Sequence, residues 1–138
     1  MLNRVELIGR LGADPELKTI PTGKSVCEFR MATTEHWKDK GSGAKQEATE
    51  WHRVKVWGDL AEVVARSLNK GSLCRVEGKI TTRTWDDKAG AKHYMTEIVA
   101  REVLFLEPKR AKGDTAAVEN APGNTGDPGP SEDDSIPF

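Results

Sequence analysis

Apolar residues recur at every second position through most of residues 1–107, the pattern of strands that bury one face. Between residues 3 and 11, Val5, Leu7, Gly9 and Leu11 alternate with Arg4, Glu6, Ile8 and Arg10. Pro21-Thr22-Gly23 marks a turn, and a second run over 25–34 sets Cys27, Phe29 and Met31 on one face. Residues 38–46 read as a flexible basic loop containing Lys38, Lys40 and Lys45, and a third run covers 49–57. The period then changes. Asp59 is the expected N-cap with Glu62 three residues on, Leu60, Val63, Val64 and Leu68 share a helical face, and Gly71 ends the helix. A fourth run covers 73–85, Asp86–Lys92 form a turn, and a fifth run covers 93–107. Three strands, a helix and two more strands predict an all-β fold, a small closed barrel with one short helix. The five-stranded OB-fold is the leading candidate, and periodicity alone leaves other barrels open.

The pattern stops near Pro108. Residues 108–130 carry Lys109-Arg110-Ala111-Lys112 and continue mostly as Gly, Ala, Asn, Thr, Asp and Pro, with Val118 the only branched aliphatic, too poor in apolar bulk to offset their ordering entropy; a disordered linker is expected. Residues 131–138, Ser131-Glu132-Asp133-Asp134-Ser135-Ile136-Pro137-Phe138, set acids directly before an apolar end. Net charge adds a second division. The chain carries −1, yet residues 1–112 hold all 21 Lys and Arg against 16 acids, while residues 113–138 hold six acids and no base. A basic body that meets an anion and an acidic arm with another role are implied.

The longest apolar run, Val103 to Leu106, is far short of the ~20 residues that cross a bilayer. Arg4, Glu6 and Arg10 interrupt any leader-like apolar stretch, so neither a membrane partner nor secretion is expected. Cys27 and Cys74 lack a C-x-x-C partner and read as small buried hydrophobes in a reducing cytosol.

The third and fourth strands carry the chemistry. On one face of the third stand Thr49, Trp51, Arg53, Lys55 and Trp57, and on the other Glu50, His52, Val54 and Val56. On one face of the fourth stand Leu73, Arg75, Glu77, Lys79, Thr81, Arg83 and Trp85, opposite Cys74, Val76, Gly78 and Ile80. Small apolar residues point one way while tryptophans and cations point the other, although a core normally claims large aromatics first. Trp37 opens the basic loop. Outward indoles among guanidinium and ammonium groups suit single-stranded nucleic acid, whose unpaired bases stack on tryptophan whatever their identity. Stacking is worth ~1–3 kcal/mol per base in known single-strand binders, a general figure rather than one read from this chain. Two other readings fit the same pattern: a subunit interface, or surface packing with a cation–π pair.

These residues also resemble the bacterial single-stranded DNA-binding proteins. The likeness runs through Asn3-Arg4-Val5-Glu6-Leu7-Ile8-Gly9-Arg10-Leu11, Asp14-Pro15-Glu16, Thr49-Glu50-Trp51-His52-Arg53-Val54 and Leu60-Ala61-Glu62-Val63. It continues in Lys70-Gly71-Ser72, Glu77-Gly78 and Thr82-Arg83-Thr84-Trp85, and resumes at the closing Asp133-Asp134-Ser135-Ile136-Pro137-Phe138. The resemblance implies an OB-fold over 1–107, a homotetramer, and single-stranded DNA wrapped over it in the cytoplasm, in association with the nucleoid. Stacking would fall on Trp37, Trp51, Trp57 and Trp85, with Trp57 where phenylalanine is common, and basic contacts on Arg53, Lys70 and Arg83. Lys40, Lys55, Arg75 and Lys79 join them from the loop and face patterns. The tip residues Asp133, Asp134, Ile136, Pro137 and Phe138 would dock into partner proteins of replication, recombination and repair, with Ser135 replacing an acid usual in that tip.

No catalytic constellation accompanies this surface. His36, His52 and His93 fall in no H-E-x-x-H, and the chain has no G-x-S-x-G, no phosphate-cradling glycine loop and no paired-cysteine ligand set. Neither an enzyme nor a cofactor or metal is expected. His52 should pack or meet a subunit, and Asp86-Asp87 should sit in a solvated turn.

Overall fold

The computed structural model describes residues 1–108; the expected linker beyond Pro108 and the whole 131–138 tip lie outside the described residues. The elements in chain order are β1 (Val5–Leu11), β2 (Glu16–Thr19), β3 (Ser25–Lys38), β4 (Lys45–Trp57), α1 (Asp59–Ser67), β5 (Leu73–Asp86) and β6 (Lys92–Phe105). One sheet runs β1-β5-β6-β4-β3-β2, and a further β1–β3 pairing at Arg10 and Leu11 curls it shut. Five strands close the barrel as expected, and β2 lies outside it along the margin of β3. The β4–β6 seam is parallel and short, pairing only Val54, Val56 and Lys55 between them with Ile98, Ala100 and Val99.

The alternation read from sequence explains the core. Cys27, Phe29 and Met31 of β3, Val54 and Val56 of β4, Cys74 and Val76 of β5, and Ile98, Ala100 and Val103 of β6 meet inside. Ala61, Val64 and Leu68 of the helix region pack onto them. Burial alone pushes the Cys74 thiol up to about 11, and it does the same for Cys27 with help from the Glu28 carboxylate.

Four local expectations are corrected. The short strand β2 went unseen because all its residues are exposed, so no buried face imposes a period. The basic loop is narrower than 38–46: Trp37 pairs with Gln46 and Lys38 with Lys45, leaving Asp39–Ala44 as the turn. The helix is preceded by Gly58 at φ +74 with no side-chain cap, so Asp59 is its first residue; Glu62 instead accepts a hydrogen bond from the Ser25 hydroxyl at 3.1 Å. It ends at Ser67 with extended Leu68 after it, ahead of Gly71, and Val63 stays outside the core cluster. Ile80 is exposed, unlike its inward neighbours Cys74, Val76 and Gly78, because β5 has by then run past the barrel.

The consequence is two long hairpins, β3–β4 and β5–β6, that outrun the barrel. Their ladders continue to Lys38–Lys45 and to Asp86–Lys92, well beyond the β4–β6 seam. The four tryptophans and, Lys70 apart, the expected cations stand on these hairpins.

Candidate nucleic-acid interface

Large aromatics seldom remain on a surface without a reason, because burying one removes a large apolar area from water. Here Trp37, Trp51, Trp57 and Trp85 stay exposed at 49%, 48%, 42% and 41%. The outward orientation read from alternation therefore holds for Trp51, Trp57 and Trp85, and Trp37, read only as opening the basic loop, is exposed as well. Trp51 and Trp57 stand on one face of β4, six residues and so ~20 Å apart.

Three of the four indoles have distinct surroundings. Trp51 lies against Gly12, where a Cβ would collide with the outer ring carbons, and the Arg30 guanidinium sits 5.5 Å from its ring centroid. Beside it, where β4 and β6 diverge past their seam, opens a groove of about 450 Å³ whose lining includes Trp51, Arg53, Tyr94 and Met95. Trp85 has the Arg83 guanidinium 5.5 Å from its ring centroid and His93 stacked on it at 5.4 Å with an interplanar angle of 21°. Trp37 lines a groove near the β3–β4 tip with His36, Lys38, Lys45 and Gln46.

Among the expected cations, Lys40, Arg53, Lys70, Lys79 and Arg83 are exposed. Lys40 sits in the β3–β4 turn, and the Lys70 backbone N–H donates to Asp14 at 2.8 Å, which ties the segment after the helix to the β1–β2 connection. Two expectations change. Lys55 faces the intended way but is largely covered, with Nζ 3.4 Å from Glu28 and 3.3 Å from Glu97. Arg75 donates to Glu6 at 3.0 Å and to Glu77 at 3.1 Å, and its register neighbours are Ile8 and Leu104 rather than tryptophans. That pairing holds the Glu6 carboxyl below the usual carboxylate range. The surface of β5 read as one face is thus two: an acid-matched end over β1, and an aromatic end with Arg83 and Trp85 on the hairpin. Strict alternation cannot report where along a strand its neighbours change.

Sequence reading also missed four residues. Glu97 is buried among cations, accepting from Arg83 at 3.4 Å besides pairing with Lys55. Gly12 and Arg30 seat Trp51, and His93 seats Trp85. Only His93 had a readable signal, since a hairpin turning at Asp87–Ala91 brings it opposite Trp85. Elsewhere, His52 is half-buried and shares a 2.8 Å hydrogen bond with the Thr33 hydroxyl, and Asp87 caps its turn by accepting from the Ala89 and Ala91 N–H groups. Among the described residues no His, Cys, Asp and Glu cluster could hold a metal ion, and no helix is long and apolar enough to cross a membrane.

The surface has known counterparts. The family model described as the single-strand binding protein family matches residues 2–106. The chain is 46% identical over 133 residues to single-stranded DNA-binding protein 1 of Xylella fastidiosa, covering 96% of this chain and 94% of that one. It is 47% identical over 116 residues to single-stranded DNA-binding protein 1 of Chlorobaculum tepidum, covering 83% of this chain and 71% of that one. A solved Plasmodium falciparum SSB complex with ssDNA superposes with a TM-score of 0.71 at 31% identity, over 78% of this chain and 97% of that chain. With a closed barrel, exposed indoles and a match across nearly all of the described residues, the chain belongs to the single-strand binding protein family.

Proposed function

We propose that the protein binds single-stranded DNA with little sequence preference, by base stacking and phosphate contact rather than by chemical catalysis. One observation carries the reading: four indoles stay exposed on the hairpins and β4, with exposed cations beside them. Duplex bases are already stacked and offer such rings no face. Trp37, Trp51, Trp57 and Trp85 receive bases, while Lys40, Arg53, Lys70, Lys79 and Arg83 follow the phosphates. Lys55 acts only as Glu97 and Glu28 release it, and Arg75 belongs to the opposite end of the sheet.

That opposite end supports self-association into the expected homotetramer. Ile8, Leu104 and Leu106 are exposed there at 55%, 48% and 40%, beside the Arg10–Glu107 pair at 2.9 Å. Most of β1 pairs with β5 on one side only, so its other backbone edge can take a second copy. In the cell the protein would coat single strands in the cytoplasm at the nucleoid, in replication, recombination and repair. Its Asp133, Asp134, Ile136, Pro137 and Phe138 would recruit partner proteins through apolar pockets rimmed by Lys or Arg.

Titration with oligo-dT under tryptophan fluorescence, paired with native mass measurement, tests both parts. Stacking predicts strong quenching, and log affinity should fall with log salt at a slope of about −0.7 per phosphate contact. Emission that ignores oligo-dT would overturn the DNA reading, and a monomeric mass would overturn the assembly.

A further inference from the structure

The β5–β6 hairpin links its turn to its indole. Asp87 Oδ1 accepts from the Ala89 and Ala91 N–H groups at 2.9 and 2.8 Å, and Oδ2 lies 2.7 Å from His93 Nε2. The His93 ring then stacks on Trp85, its partner in the ladder. Arg83 also reaches the Trp85 ring, while its guanidinium is tied to Glu97 at 3.4 Å and to the Met95 sulfur at 3.5 Å. The indole therefore sits in a chain of contacts anchored at one end by turn amides and at the other by a buried carboxylate.

Each link restricts a different freedom. The turn amides fix the Asp87 carboxylate, the carboxylate fixes the rotation of the imidazole, and the imidazole covers part of the indole. A free indole has several rotamers, and ordering it on binding costs conformational entropy. Ordering it beforehand removes that cost from the binding step. We propose that His93, steered by Asp87, is a positioning residue for single-strand binding that holds Trp85 ready to receive a base. The inference rests on the single-strand reading above and adds a residue that touches the indole rather than the phosphates. A plain cross-strand pair would also stabilise the hairpin, so the test must separate holding the ring from holding the arm.

A double-substitution cycle in the full-length chain does so. His93→Ala should weaken oligo-dT binding by about fivefold, the scale of one aromatic pair. In a Trp85→Ala background the same change should cost nothing further, and His93→Phe, which keeps a ring over the indole but loses the Asp87 hydrogen bond, should recover only part of the loss. In a variant with Trp37, Trp51 and Trp57 replaced by Phe, His93→Ala should also lower the fluorescence anisotropy of Trp85 without DNA. Equal loss in both backgrounds would assign His93 to the arm as a whole and overturn the proposal. So would unchanged anisotropy, or a His93→Phe protein as weak as His93→Ala. A parent protein that ignored oligo-dT would defeat the single-strand reading instead, while the DNA-free anisotropy would still decide whether His93 holds the ring.

Discussion

The two hairpins end in one device used in two ways. In β3–β4 the Asp39 carboxylate accepts from the Ser42 hydroxyl at 2.8 Å and the Gly41 N–H at 3.4 Å, so it closes the turn on itself. In β5–β6 the Asp87 carboxylate closes its turn and also reaches His93, hence the aromatic platform. Both carboxyls are held below the ordinary 3.8, Asp39 chiefly by the Ser42 hydroxyl and Asp87 chiefly by His93. The difference teaches that the same turn chemistry can be local or can be wired to a functional ring. The β3–β4 hairpin secures an indole at its root instead, where Gly12 and Arg30 seat Trp51.

The largest effect that probes this contrast is removal of the rings. Trp51→Ala and Trp85→Ala should each weaken oligo-dT binding by about 1–3 kcal/mol, as measured by titration, the span general to base–aromatic stacking in such proteins. Thermal unfolding should barely move, since neither indole belongs to the core. Next comes the seat of Trp51. Gly12→Ala forces that ring aside while leaving Trp85 in place, so affinity should drop several-fold and the Trp51 emission of a single-tryptophan variant should shift, with no change at Trp85. A smaller change with the opposite sign is expected from Glu97→Gln. It frees Lys55 and Arg83 from a counter-charge, and low-salt affinity should rise roughly twofold to fivefold, on the scale of a partly exposed ion pair.

The smallest effect is in pH. Because the Asp39 and Asp87 carboxyls sit below 3.8 in the folded chain, the stability they add is complete above that value and is lost as pH falls below it. Acid should loosen both turns in that window. Only the β5–β6 turn should report it through an indole, as a change in Trp85 emission that Trp37 does not share. Matching responses in single-tryptophan proteins would erase the distinction between the hairpins.

Most of the barrel could be read from alternation because each of its strands buries one face, and the identity of Cys27, Phe29, Met31, Val54 and Val56 leaves little choice of side. The outward tryptophans were legible for the same reason. What failed was whatever depends on a neighbour far along the chain. Whether Lys55 is free depends on Glu97, and whether Arg75 is free depends on Glu6, and no local period encodes either pairing. Strand β2, with every residue exposed, and the helix start at a glycine without a side-chain cap lacked the signals that such readings use.

The brief parallel seam between β4 and β6 bears on how the chain reaches this shape. Each hairpin joins residues near in sequence and can zip from its own turn, whereas the seam brings together Val54 and Ile98 across an intervening helix and strand. Its loop-closure entropy must be overcome before any contact across it rewards the chain, so closure of the seam should set the folding rate. Shortening Ile98 to Val should then slow refolding more than an equally destabilising change at a hairpin residue outside the seam.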